Sequence, residues 1–137
     1  MMDLKKPTTA ERIWLWRRRQ QNTTGRAKGR GGARMSVGEA AAMLNLPFTI
    51  YANAEGRIDD DIEAQQLVMS VIEESGGVLK FKPTEAELCA LARRRSGAAV
   101  GDLCRALGGI SAPTFYAKEN AGDADLVDLW RARGYEF

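Results

Sequence analysis

Val100-Gly-Asp-Leu-Cys-Arg-Ala-Leu-Gly-Gly-Ile-Ser-Ala-Pro-Thr-Phe-Tyr116 carries the order of small, apolar and turn residues that two short crossed helices require. Leu103 and Leu107 repeat at i, i+4, and Cys104 is a small residue on the same side, so the first helix can press closely against a second. Gly108 and Gly109 stop it. Ser111 is a good N-cap and Pro113 sits where a missing N–H costs nothing, so a second helix begins there and buries Phe115. With Phe115 turned inward, Ala112, Thr114 and Tyr116 lie toward the exposed first part of that helix. Lys118, three residues beyond Phe115, stands where another apolar residue would continue the stripe; with Asn120-Ala-Gly122 behind it, it predicts an early helix end.

Over residues 97–120 this pattern of small residue, Leu-Gly, one apolar residue, Ser, then Thr-Phe-Tyr resembles the DNA-binding helix-turn-helix of bacterial regulators, resolvases and transposases. Gly108-Gly109 stands where that pattern has one glycine, so the turn is one residue longer. The resemblance implies that the second helix enters the major groove, with Ala112, Thr114 and Tyr116 toward base edges and Lys118 toward a phosphate. An ordinary helical hairpin is the plain alternative, because motifs this short arise by chance.

Composition frames that motif. The 137 residues, 45% of them apolar, suffice for one small domain, or one domain with an appendage. The net charge of +2 hides an asymmetry. Residues 1–34 contain ten Lys/Arg against Asp3 and Glu11, and residues 35–137 contain ten against sixteen acids, so the amino end is +8 and the remainder −6. Such a split predicts a basic arm for a polyanion on an acidic body.

The chain has no histidine, which removes the commonest general base, the Ser-His and Cys-His nucleophile pairs and most zinc sites. Its two cysteines, Cys89 and Cys104, lie fifteen residues apart on apolar helical faces and match neither a metal spacing nor a disulfide framework; they read as reduced core residues. No catalytic constellation, metal site or cofactor is expected. No apolar run approaches the roughly 18 residues of a membrane span, and the start lacks an apolar leader, so a cytoplasmic location is expected.

Taken from its start, the chain opens with the capping box Thr8-x-x-Glu11 after Pro7, leading into Ile13-Trp14-Leu15-Trp16-Arg17-Arg18-Arg19. Trp14 and Trp16 read as packing residues. Arg17, Arg18 and Arg19 read as phosphate contacts, because the charge continues; favourable charge at a helix C-terminus is the alternative. The continuation, Gln20 to Arg34, is rich in Gly and Arg with almost nothing to bury. A segment bearing Arg26, Lys28, Arg30 and Arg34 resembles the arms that follow a nucleic-acid backbone or enter the minor groove and order on contact. Such arms also bind RNA, and a solvated linker is the bland reading. The domain division expected is therefore a basic helix and arm over 1–34 and a compact helical domain over 35–137.

A second capping box, Ser36-x-x-Glu39, starts a helix with Val37, Ala40, Ala41 and Leu44 on one face. The run Ser36 to Leu46 resembles the first helix and turn of the mercury-resistance-regulator and excisionase group, with Asn45 taking the left-handed turn conformation. Beyond Pro47 the match decays and no basic reading helix is found. The expectation there is a short strand, Phe48 to Ala52, and a turn at Asn53 to Gly56. Asp59-Asp60-Asp61 caps an amphipathic helix with Ala64, Leu67, Val68, Val71 and Ile72 inward. A cap explains these acids without a metal. Gly76-Gly77 ends the helix, and Val78 to Lys82 alternates like a strand that could pair with 48–52.

Thr84-x-x-Glu87 opens a helix with Leu88, Leu91 and Ala92 inward and Arg93-Arg94-Arg95 at its end. These arginines either grip the DNA backbone beside the reading helix or answer the helix dipole. Asp123 caps a last helix whose stripe of Leu126, Leu129 and Trp130 completes the core or forms a homodimer face; Gly134 closes it. The fold class expected is mainly α, a small helical domain with at most one short two-stranded β-pair. The function expected is binding of double-stranded DNA, with transcription regulation first. A phage or plasmid nucleoprotein accessory for packaging, recombination or conjugation comes next, then RNA binding through the arm.

Overall fold

In the computed structural model, which describes residues 2–20, 34–56 and 60–137, capping threonines, serines and aspartates set where most helices begin. The chain is mainly helical and divides into two compact units, residues 7–81 and residues 82–137 together with 1–6. The first helix therefore belongs with the helices between residues 37 and 74. The division expected near residue 34 does not coincide with either unit.

The amino-terminal unit contains α1 (Thr9–Arg19), α2 (Val37–Met43), α3 (Phe48–Ala54) and α4 (Ile62–Glu74). Thr8 and Ser36 each accept from the third residue of their helix while Glu11 and Glu39 reach back, so both capping boxes are formed. Asp61 caps α4; Asp59 lies outside the described residues. Asn45 leaves α2 at φ 55°, as its short polar side chain allows. The core joins Ile13, Trp16, Met35, Ala40, Ala41, Leu44, Tyr51, Ala54, Val68, Ile72 and Leu79.

Three expectations fail in this unit. Phe48 to Ala52 is no strand but the body of α3: Tyr51, Ala54 and Glu55 are buried at i, i+3, i+4, and that burial overrides the β preference of Thr49 and Ile50. Val78 to Lys82 pairs with no strand among the described residues either. Arg12 Nη1 donates to the carbonyls of Leu79 (3.1 Å) and Phe81 (3.2 Å), so a guanidinium fills the place of a neighbouring strand. Leu67, expected inward, is 44% exposed, because Gln65 lies on the stripe with Ala64, Val68 and Ile72.

The carboxy-terminal unit contains α5 (Glu85–Ser96), α6 (Val100–Ala106), α7 (Ala112–Ala121) and α8 (Ala124–Ala132). Its β-pair is β1 (Met2–Asp3) beside β2 (Tyr135–Glu136), parallel, with Met2 opposite Tyr135. Leu4, next after β1, donates its N–H to the Glu136 carbonyl and is fully buried. Leu88, Cys89, Leu91, Leu103, Cys104, Phe115, Leu126 and Trp130 are buried in the same unit, and both cysteines are free thiols. No helix among the described residues is long and apolar enough to cross a membrane.

Candidate nucleic-acid interface

The α6–turn–α7 segment has the local chemistry its sequence predicts. Leu103 and Cys104 are buried on α6, and Gly108 and Gly109 turn the chain at φ 93° and 84°. The added glycine is thus absorbed as a second left-handed residue, a conformation that carries no Cβ penalty at glycine. Ser111 Oγ accepts from Thr114 N at 3.3 Å and lies 2.8 Å from Thr114 Oγ1, and Pro113 fills the first turn. Phe115 is fully buried, while Ala112, Pro113 and Thr114 are exposed.

Tyr116 and Lys118 are placed differently from Thr114. The Tyr116 ring is half-buried, edge-on to Phe115 at 5.7 Å between centroids, with the Arg93 guanidinium 5.8 Å above it. Lys118 does not end the helix: α7 runs on to Ala121, and Gly122 at φ 63° closes it. The Lys118 ammonium faces Asp123 at 3.5 Å and Asp125 at 3.9 Å. Among the readers named from sequence, Ala112 and Thr114 hold the open position on the first turn.

The arginine runs at the ends of α1 and α5 turn out to be partly internal. Arg17 sends Nε to Glu55 Oε2 (2.7 Å), Nη2 to Glu55 Oε1 (3.0 Å) and Nη1 to the Met35 carbonyl (2.9 Å). Arg93 clasps Glu119 through the same two atoms, at 2.7 and 3.0 Å. Both glutamates are buried. Burial pulls the Arg17 guanidinium down and the Glu55 carboxylate more than restores it; at Arg93 the hydrogen bonds from Glu119 prevail over burial, so both guanidiniums stay charged. Arg17 and Arg93 are thus corrected from phosphate contacts to core clasps, since a buried carboxylate already satisfies each one.

Arg18 stacks over Trp14 at 4.9 Å, and Arg19 over Phe81 at 3.7 Å. Trp16 is buried, as its packing role predicts. Arg34, Arg94 and Arg95 are half-buried, each with interactions inside the protein. Arg26, Lys28 and Arg30 lie outside the described residues.

Sequence reasoning missed Glu55 and Glu119. Each stands four residues after a fully buried aromatic, Tyr51 or Phe115, and so on the same inward face. An acid on that stripe with an arginine at a neighbouring helix end is the signal that could have found them. No cluster of histidine, cysteine or acid able to hold a metal occurs among the described residues. No protein-family model, curated protein or solved structure matches the chain.

Proposed function

We propose that this protein binds double-stranded DNA, with α6, its turn and α7 as the docking element and the basic stretch between α1 and α2 as a second contact. The observation that carries the reading is the division of α7's first two turns: Phe115 is fully buried while Ala112, Pro113 and Thr114 stand exposed, as a groove-entering helix requires. Arg26, Lys28 and Arg30, with no acid anywhere in residues 21–33, supply attraction to phosphate. Transcription regulation is the use this pairing serves most directly.

A second reading, a nucleoprotein accessory that positions a separate enzyme, draws on one feature of the same helix. The exposed first turn offers Thr114 but no Arg, Asn or Gln, the side chains that best read bases in pairs of hydrogen bonds. Such a face favours placement on the backbone over tight sequence choice.

Selection of bound sequences from a random duplex pool, followed by salt titration, tests the proposal. Affinity should fall by about 0.9 log unit per log unit of salt for each phosphate contact, and deleting residues 21–33 should flatten that slope. A selected consensus supports the regulator; retained duplex without a consensus supports the accessory. Tighter binding to single-stranded RNA than to any duplex overturns the DNA reading.

A further inference from the structure

We infer that the chain is an internal duplication of one four-helix module and that both copies engage duplex DNA, so a single chain covers two half-sites; the second part rests on the DNA reading above. Lys6-Pro7-Thr8-Thr9-Ala10-Glu11 recurs as Lys82-Pro83-Thr84-Glu85-Ala86-Glu87, five of six residues identical, and each opens a helix through the same capping box. Nine residues after each capping threonine begins Arg-Arg-Arg, at Arg17 and at Arg93. The second helices are both seven residues long and open Val37-Gly38-Glu39 and Val100-Gly101-Asp102. Leu44 and Leu107 end them, followed by left-handed Asn45 (φ 55°) and Gly108 (φ 93°).

The correspondence continues through the third and fourth helices. Four residues after the N-caps Pro47 and Ser111 stand Tyr51 and Phe115, both fully buried, and four further stand Glu55 and Glu119. Asp61 and Asp123 cap the fourth helices, with Ala64, Gln65 and Val68 buried in one and Leu126, Val127 and Trp130 in the other, at the same three offsets. Gly76 (φ 89°) and Gly134 (φ 94°) come after the last turns.

Caps and closing glycines recur in unrelated helices because backbone chemistry demands them. The arginine–glutamate clasp does not. A buried ion pair holds no general stability advantage over an apolar pair of the same volume, so nothing in helix physics calls for it twice. It occurs here at matching positions, through the same atoms and at the same two distances. Common descent of the two copies accounts for that, and independent origin does not.

Duplication carries the docking role across. The face that α7 presents at Ala112, Pro113 and Thr114 is presented on α3 by Phe48, Thr49 and Ile50, of which Phe48 and Thr49 are exposed. An exposed phenylalanine fits a thymine methyl, and a threonine hydroxyl reaches a base edge or phosphate. The two copies differ most between their first and second helices. Three residues, 97–99, suffice in the carboxy-terminal copy, whereas residues 20–36 stand there in the amino-terminal one. The module therefore closes without the basic stretch, and the copy that has it gains the charge a polyanionic partner requires.

Footprinting of the full-length chain on its selected duplex, with Thr49→Glu and Thr114→Glu as variants, decides the matter. Both sites are exposed, and unchanged thermal melting confirms that each variant folds. Two protected blocks per bound chain are expected, with each variant losing its own block and at least about tenfold in affinity. Either variant without effect, beside a disabling effect of the other, overturns engagement by two copies and leaves the DNA reading intact. No protection of duplex by the wild-type chain overturns the DNA reading itself.

Discussion

Arg93 and Glu119, 26 residues apart, meet through two parallel hydrogen bonds that fasten the end of α5 to the end of α7. The carboxylate is 1% exposed and the guanidinium 24%, so one partner sits in the core and the other at its rim. The first arginine of a basic run thereby holds the candidate docking helix in place from behind.

Removing one partner leaves the other's charge stranded. Glu119→Ala should cost about 3 kcal/mol in urea denaturation, and Arg93→Lys, which keeps the charge but loses the paired donors, about 1 to 2 kcal/mol. Glu55→Ala should act alike on the amino-terminal unit. A loss under about 0.5 kcal/mol would place these pairs among ordinary surface ion pairs.

Tyr51 and Phe115 hold equivalent positions, but Tyr51 carries a buried hydroxyl that lies beside the Arg17–Glu55 clasp without well-formed hydrogen-bond geometry to either side chain. Burial first, and then the Glu55 charge, push its phenol far above the usual range. Tyr51→Phe should therefore leave stability unchanged or raise it by up to about 1 kcal/mol, and Tyr51→Ala should lower it by about 3 to 5 kcal/mol. Destabilisation by Tyr51→Phe in thermal melting would mean that the hydroxyl is satisfied.

Cys89 is fully buried, and burial, aided by the charges of Glu119, Glu85 and Asp123, pushes its thiol from 9.0 up to about 12. The native protein should resist alkylation at Cys89 at pH 8 and react once unfolded. The unfolded chain releases this proton near pH 9 and the folded one near 12. The unfolded state thus binds fewer protons between those values, and stability falls as pH rises through that window. Relative to Cys89→Ala, the wild type should lose stability between about pH 9 and 11; parallel curves would refute the shift.

Glycine and asparagine at the turns separate conformational from steric cost. At Gly108 and Gly109 an added Cβ meets nothing within 4 Å, so Gly108→Ala should cost only the left-handed penalty, about 1 to 2 kcal/mol. Asn45→Ala should cost about 1 kcal/mol, and Asn45→Gly almost none. At Gly77, by contrast, a Cβ would fall 2.5 Å from Ile72 Cγ2 and 3.0 Å from Trp16 Nε1, so Gly77→Ala should cost about 1 to 3 kcal/mol through overpacking. Thermal melting of these variants ranks the costs.

Where most helices start and stop is written locally in the sequence. Thr8, Ser36, Thr84, Ser111 and Asp123 cap helices as their spacing predicts, and Asn45, Gly76, Gly122 and Gly134 leave them in the left-handed region. These features are legible because a cap satisfies backbone groups within three or four residues of itself. The repeat of Lys-Pro-Thr-x-Ala-Glu is equally local, whereas the two clasps that match it join residues 38 and 26 positions apart.

Tertiary contacts alone make Phe48–Ala54 a helix, turn Arg17 and Arg93 toward buried acids, and join residues 1–6 to the carboxy-terminal unit. Thr49 and Ile50 favour a strand locally, and only the buried surface around Tyr51 and Ala54 outweighs them. An arginine run looks the same whether it meets solvent, phosphate or a carboxylate 38 residues away. Long-range burial sets these outcomes, and its partners are not neighbours in the chain.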